Sequence, residues 1–159
     1  MFVDRQNGVV TATYNVAQYE GQEELPDGHA DLVAYQLVGL KRRRLVEVAA
    51  ELARQSALGF VYEGKAYQLD EASQGRIDAL ATKAERVVAG RPNATWDGRF
   101  IAADNTEVTF TAEEFGAFAD AASNVVIARR FHARDLKNQI LAATSAEDLE
   151  AIDVTTGWD

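Results

Sequence analysis

The amino-acid sequence predicts an α+β fold that is rich in helix. Three observations support this class: long segments with the apolar periodicity of helices, short apolar segments separated by turn dipeptides, and two threonine-led tetrapeptides that end in glutamate. We expect three main helices at about 36–57, 71–89 and 111–142, short β-hairpins between them, and a short C-terminal helix. A chain of 159 residues suits one compact domain with a small appendage.

The first 35 residues are predicted to form an acidic arm made of a hairpin and a loop. Asn7-Gly8 separates two short apolar segments, and this dipeptide favours a type I′ hairpin turn because both of its positions need positive φ. Residues 18–31 are polar and contain proline and glycine, which is typical of a loop. Because the arm has few apolar groups, we expect it to be separable from the core.

Residues 36–58 are predicted to be a helix that connects the arm to the rest of the chain. At about 100° per residue, five of its apolar side chains share one face. That face comprises Val38, Leu45, Val48, Ala49 and Leu52. The basic quartet Lys41-Arg42-Arg43-Arg44 is distributed around the helix, so we expect a solvated collar, with the docking of an acidic partner as the alternative.

A second hairpin is predicted over residues 58–69, turning at Glu63-Gly64. A two-residue turn there places six side chains on one face, namely Leu58, Phe60, Tyr62, Lys65, Tyr67 and Leu69. That face needs to be covered, and the following helix, capped by Asp70, has a suitable apolar stripe. The stripe comprises Ile77, Leu80, Ala81, Ala84, Val87 and Val88.

A third hairpin, residues 96–110, is predicted to turn at Asp104-Asn105 and to lead into the longest helix. The tetrapeptide that begins at Thr111 is a capping box, in which the threonine and Glu114 satisfy each other's backbone N–H groups. The tetrapeptide from Thr144 to Glu147 repeats this pattern and is expected to begin the final short helix.

The long helix has two features that a simple core-facing stripe does not explain. Arg129 lies at the centre of its apolar stripe. It either pairs in the interior with a carboxylate of the acidic arm or tail, marks where the helix extends past the core, or binds a ligand. Ile127 and Phe131 lie on the opposite, polar face, where the N-terminal hairpin covers them or another protein contacts them. The internal contact is favoured. Together with Trp158, these three residues are the candidate partner contacts.

No catalytic, cofactor or metal site is predicted. The chain has no cysteine, and neither His29 nor His132 has the neighbouring ligands expected of a metal site. His132 is expected on the surface of the long helix. The sequence contains no glycine-rich phosphate loop and no nucleophile elbow. We therefore expect a protein that is not an enzyme and has no cofactor.

Charge and hydropathy limit the classes of partner. The net charge of −9 argues against nucleic acid, because phosphate contacts supply most of the affinity in such complexes. No apolar segment approaches the roughly eighteen residues that span a bilayer, so no membrane partner is expected. The absence of cysteine and of a signal-peptide pattern is typical of a protein made in a bacterial cytoplasm.

From about Gly59 to Asp159, the order of motifs resembles the C-terminal domain of unknown function in small tailed-phage proteins that are associated with tails and tail-fibre assembly. The motifs are the segment from Phe60 to Asp70, Trp96, Asp104-Asn105, the segment from Thr111 to Phe115, Leu136-Lys137, Ile152 and Gly157-Trp158. The opening hairpin and acidic loop also look like the N-terminus of many phage fibre-assembly proteins. The resemblance implies that residues 59–159 are a phage tail-associated domain, and it carries over no catalytic residue.

The resemblance further implies a non-enzymatic tail accessory protein, either a tail-fibre component of the virion or a tail-fibre assembly chaperone. Its partner would be a tail fibre or another tail structural protein, with a homo-oligomer as a further option. The protein would reside in the virion tail, or in the host cytoplasm during assembly. Two alternatives stay open: a prophage-encoded regulatory or host-directed binding module, and an enzyme that acts on host polysaccharide.

Overall fold

The computed structural model describes residues 1–158 and confirms the α+β class. The elements, in chain order, are β1 (Phe2–Gln6), β2 (Val9–Tyr14), β3 (Glu23–Glu24), α1 (Ala30–Leu58), β4 (Phe60–Tyr62), β5 (Lys65–Tyr67), α2 (Glu71–Val88), β6 (Arg99–Ile101), β7 (Glu107–Thr109), α3 (Ala112–Ala142) and α4 (Ala146–Glu150). The strands form a three-stranded antiparallel sheet in the order β2-β1-β3 and two separate hairpins, β4-β5 and β6-β7.

The described residues divide into two compact units, and each unit takes one part of α1 and one part of α3. The first unit comprises Met1–Glu47 and Leu136–Asp153, and the second comprises Val48–Asp135 and residues 154–158. The first unit therefore contains the three-stranded sheet and α4, whereas the second contains both hairpins and α2.

The N-terminal hairpin of the first unit turns as predicted. Asn7 and Gly8 have φ angles of 52° and 80°, as a type I′ turn requires. The segment predicted as a loop contributes β3, in which Glu24 pairs with Phe2. The arm also has more apolar packing than expected, because four of its apolar side chains enclose a small core of their own. That core comprises Val3, Val10, Leu25 and Leu32.

Helix α1 begins at Ala30, six residues before the predicted start, and ends at Leu58, as expected to within one residue. Its inner face is the predicted one in part: Leu45, Val48 and Leu52 lie on it, whereas Val38 and Ala49 are exposed. Val38 is 67% exposed, whereas Val48 is fully buried and the polar Gln55 is also buried. The prediction placed Val38 inside because apolar residues occur all around this helix, so periodicity alone does not select one face.

An aromatic core holds the second unit together, and Phe118 of α3 lies at its centre. The ring centroid of Phe118 lies 4.7 Å from that of Tyr67 and 5.2 Å from that of Phe110. The predicted register of the second hairpin is confirmed, since Phe60 pairs with Tyr67. Leu58 does not join this face and is 63% exposed, because it ends α1 instead of continuing the strand.

Helix α2 covers the hairpin face as predicted. Asp70 caps it by accepting a hydrogen bond from the Ser73 amide at 2.9 Å, and Ile77 and Ala84 are buried. Val88, predicted on the same stripe, is 54% exposed because it occupies the last turn, where the helix ends.

One of the two predicted capping boxes is confirmed, and the other is shifted by one residue. At the start of α3, the Thr111 amide donates to the Glu114 carboxylate at 2.7 Å, and the Glu114 amide donates to the Thr111 hydroxyl at 3.1 Å. At α4 the cap is Ser145 with Asp148, instead of the predicted Thr144 with Glu147. The Asp148 carboxylate also accepts hydrogen bonds from the Thr144 amide and hydroxyl, which favours the shifted box.

Candidate protein-interaction surface

Ile127 and Phe131, the apolar pair expected on the polar side of the long helix, are exposed on α3. Phe131 is 62% exposed and Ile127 is 48% exposed, whereas Phe115 and Phe118 on the opposite side of the helix are buried. The favoured expectation that internal packing buries the pair is therefore wrong. The alternative, a contact with another protein, remains.

Two arginines flank this pair. Arg130 follows Ile127 by three positions and Arg134 follows Phe131 by three positions, so each lies one turn along the same side of α3. Both are exposed, and within residues 1–158 neither forms an ion pair with a carboxylate. We call Ile127, Arg130, Phe131 and Arg134 the apolar-basic surface.

A small cavity adjoins the apolar-basic surface between α2 and α3. Its volume is about 190 Å³, and Ile77 and Val126 line it together with Ile127 and Arg130. A space of this size accommodates a single apolar side chain. Gln74 and Asp78 line it as well, so the cavity is a depression of mixed polar and apolar character.

Arg129 lies in the interior, and the hydrogen bonds described for its guanidinium go to backbone carbonyls, whereas the expectation was a carboxylate of the acidic arm or tail. It is 9% exposed, and its guanidinium donates to the Gln55 carbonyl at 2.9 Å and to the Trp158 carbonyl at 3.3 Å. A buried guanidinium is costly unless its N–H groups are hydrogen-bonded, and these carbonyls meet part of that requirement. Arg129 thus joins α1, α3 and the C-terminal segment, and it is not accessible as a direct partner contact.

Trp158 is also buried, which removes it from the candidate contact. It is 3% exposed, and its indole N–H donates to the Val154 carbonyl at 3.0 Å. Its ring meets the His132 imidazole edge-to-face, with centroids 4.7 Å apart. An indole with its N–H hydrogen-bonded and its ring packed is typical of an internal anchor.

His132, expected as a surface residue, is half-buried beneath the C-terminal segment. Its Nε2 lies 2.9 Å from the Thr156 carbonyl and donates a hydrogen bond to it. Gly157 crosses directly over the imidazole ring with a φ of +81°. The Gly157-Trp158 pair was the available sequence signal for this contact, because glycine permits the close approach.

Two members of the basic quartet are engaged within the first unit. The Lys41 ammonium donates to the Leu141 carbonyl at 2.7 Å, and Arg44 donates to the Ile152 carbonyl. Arg42 and Arg43 are exposed. The solvated collar is therefore present only in part, since Lys41 and Arg44 satisfy carbonyls near the C-terminus of α3 and beyond α4.

A larger cavity of about 600 Å³ lies between α2 and the β6–β7 hairpin. Leu80 and Phe100 line its apolar part, and Arg76 and Arg99 line its polar part. Arg99 already lies 3.6 Å from Asp97 and 3.9 Å from Glu107, so its charge is balanced. The sequence did not predict this cavity, because it depends on how the hairpin packs against α2.

Within residues 1–158, no cluster of histidine, aspartate and glutamate side chains could hold a metal ion. None of the helices in the same range combines the length and hydropathy needed to span a bilayer.

On the N-terminal sheet, the Tyr19, Gln22 and Tyr14 side chains donate hydrogen bonds to the Asp4 carboxylate. The Tyr19 hydrogen bond contributes most to lowering the pKa of Asp4.

Residues 39–156 match the family model described as Domain of unknown function (DUF4376). The match covers 118 of the 159 residues, so the chain belongs to this family. It begins inside α1, about twenty residues before the start of the resemblance seen in the sequence. The description assigns no function, so the connection with phage tails stays a prediction. No curated protein and no solved structure matches the chain.

Proposed function

We propose that this member of the DUF4376 family is a non-enzymatic bacteriophage tail accessory protein, which serves as a tail-fibre component or as a tail-fibre assembly chaperone. The observation that carries the proposal is the apolar-basic surface on α3. There Phe131 and Ile127 are exposed next to two arginines that have no ion-pair partner within residues 1–158.

The composition of this surface favours a protein partner. Aromatic residues and arginine are enriched at protein interfaces, and a few such residues supply most of the binding free energy. Fully burying a phenylalanine side chain contributes about 1.5–3 kcal/mol, which the isolated chain forgoes at Phe131. The surface is therefore suited to bind another chain by contact, without any chemical reaction.

The order of motifs in the sequence supports the assignment to phage tails. The Phe60–Asp70 segment, the Thr111 capping box and the Gly157-Trp158 ending follow one another as in the small tail-associated proteins that the chain resembles. Two of these motifs build the aromatic core and the start of α3. The proposed partner is a tail fibre or another tail structural protein, met in the host cytoplasm or in the virion tail.

Co-purification with the protein of the adjacent tail-fibre gene tests this proposal. Tagged wild-type chain should retain the fibre protein at moderate salt, and Phe131→Asp should reduce the retained amount at least tenfold. Val46→Asp is the matched control, because Val46 is 64% exposed and lies in the part of α1 that belongs to the first unit. Equal retention by all three chains would contradict a role for the surface, and no retention by the wild type would contradict the proposal.

Mass spectrometry of purified particles then separates the two versions of the proposal. A stoichiometric quantity of the chain in the particle identifies a tail component. Its absence from particles, combined with retention of the fibre protein in the cell extract, identifies an assembly chaperone. If the chain is absent from particles and also retains no fibre protein from the cell extract, the regulatory or host-directed binding module is favoured.

A further inference from the structure

We infer that a second copy of this chain occupies the apolar-basic surface, with the two α3 helices packed antiparallel about a two-fold axis. The inference rests on the proposed function in treating this surface as a protein contact, and it makes the dimer, whose α3 surfaces are paired, the form of the chain that binds the fibre protein. The N-terminal half of the same α3 face carries a groove that complements the surface in shape and in charge.

The groove lies where the end of α2 meets the start of α3, and its volume is about 500 Å³. Small or apolar residues form its floor, namely Val88, Ala89, Ala112, Gly116 and Ala117, and carboxylates stand at its rim, namely Glu85, Glu113 and Asp120. At Gly116, a Cβ would meet no atom within 4 Å, so the floor is open at its centre. The groove can thus receive a large apolar side chain, and its rim favours a cation.

The groove and the apolar-basic surface share one face of α3. Gly116, Asp120, Ile127, Phe131 and Arg134 follow one another at spacings of three, four or seven residues, which keeps them on one side of a helix. Over this length the face changes from acidic with a small-residue floor to basic with large apolar side chains. When two copies of this helix pack antiparallel, the acidic half of each therefore faces the basic half of the other.

The register of the pairing follows from the positions. Gly116 and Phe131 are equally distant from the midpoint between Ser123 and Asn124, and the same holds for Glu113 and Arg134. In an antiparallel pair with its two-fold axis at that midpoint, Phe131 of each copy faces Gly116 of the other. Every contact is then made twice, as in any isologous interface.

Charge complementarity supports this register. Glu113 of one copy faces Arg134 of the other, and Asp120 lies within one turn of the position that faces Arg130. Within residues 1–158 these four side chains have no ion-pair partner in their own chain. Ser123 and Asn124, both exposed and uncharged, lie at the crossing point, where like charges would repel each other.

Light scattering on the purified full chain, over a range of concentrations, gives the first test. The wild type should have twice the chain mass, and Phe131→Asp should have the mass of one chain. Gly116→Leu should also be monomeric, because the leucine fills the groove that would receive Phe131 of the other copy. The open space around Gly116 allows the leucine side chain without disturbing the fold. Val46→Asp should remain a dimer, and circular dichroism should report equal helix content for all four chains.

A reciprocal charge exchange makes the test specific to the register. One chain carries Arg130→Glu and Arg134→Glu, and a second carries Glu113→Lys and Asp120→Lys. Each alone opposes like charges across both halves of the interface and should be monomeric. An equimolar mixture restores opposite charges in both halves and should return to the dimer mass.

The outcomes separate this inference from the proposed function. A monomeric wild type that still retains the fibre protein overturns the inference and leaves the proposed function intact. A wild-type dimer that retains no fibre protein supports the inference and contradicts the proposed function. A dimer that survives Phe131→Asp, or a charge-exchanged mixture that stays monomeric, overturns the inference, because the contact then lies elsewhere.

Discussion

Gly157 lies against the imidazole of His132, so closely that a Cβ at Gly157 would be 2.8 Å from Cε1 of the histidine. The glycine also has a φ of +81°, a region that side-chain-bearing residues rarely adopt. Both requirements come from the return of the C-terminal segment over α3, where Arg129 and His132 hold its carbonyl groups. This packing fixes the C-terminal segment to the second unit.

Gly157→Ala should therefore lower the free energy of unfolding by about 1–3 kcal/mol, since the alanine is strained at positive φ and collides with His132. Urea unfolding followed by circular dichroism measures this change. Gly39→Ala is the control, because Gly39 lies in α1 with open space around it. There alanine should stabilise the helix by about 0.5–1 kcal/mol. Equal effects at the two positions would contradict the contact with His132.

Phe118→Ala should be among the most destabilising substitutions in the second unit, at about 3–5 kcal/mol. The side chain is fully buried and its ring packs against those of Tyr67 and Phe110. Val61→Ala, on the outer side of the neighbouring hairpin, should change stability by less than about 0.5 kcal/mol because Val61 is 70% exposed. A loss below about 1 kcal/mol at Phe118 would show that this aromatic core is not packed as described.

The Asp4 carboxyl should titrate below its ordinary pKa of 3.8, mainly because the Tyr19 hydroxyl donates to it at 2.7 Å. A pKa that is lower in the folded state means that this carboxylate stabilises the fold at pH values above 3.8. That contribution is lost as the pH falls through the lower, folded pKa. NMR titration of Asp4 measures the value directly.

Tyr19→Phe removes the principal donor and should raise the pKa of Asp4 towards 3.8. Tyr35→Phe is the control in the same unit, because it removes a phenol that makes no hydrogen bond to Asp4. An Asp4 pKa that is unchanged by Tyr19→Phe would contradict the hydrogen bond. In that case the loop between β2 and β3 would not be held to β1 by this contact.

Local signals were sufficient wherever a turn or a cap determines the structure. Glu63-Gly64 specifies the register of the second hairpin because a two-residue turn leaves one pairing, and the Thr111 box specifies the start of α3. The predictions failed where tertiary contacts select among local options. The exposure of Val38 on α1 and the choice of Ser145 over Thr144 as a cap both depend on contacts that periodicity does not encode.

In the candidate site, too, some features could be predicted from the sequence and others could not. Ile127 and Phe131 could be identified from the sequence, because two large apolar residues on a polar helix face are visible in the spacing alone. The groove at Gly116 could not, because it exists only where the end of α2 lies beside the start of α3. The burial of Trp158 likewise depends on His132, twenty-six positions earlier in the chain.

The yield of soluble, trimeric tail fibre tests the central claim most directly. The adjacent fibre gene is expressed alone, with the wild-type chain, with Phe131→Asp and with Val46→Asp, and trimer is quantified on unheated gels. For a chaperone that acts through α3, the wild type and Val46→Asp should raise the trimer yield several-fold, and Phe131→Asp should not. Because the proposed activity needs no catalytic group, substitution of both His29 and His132 should leave the gain intact in any variant that stays folded. Equal trimer yields with and without the chain, together with its absence from purified particles, would contradict the account.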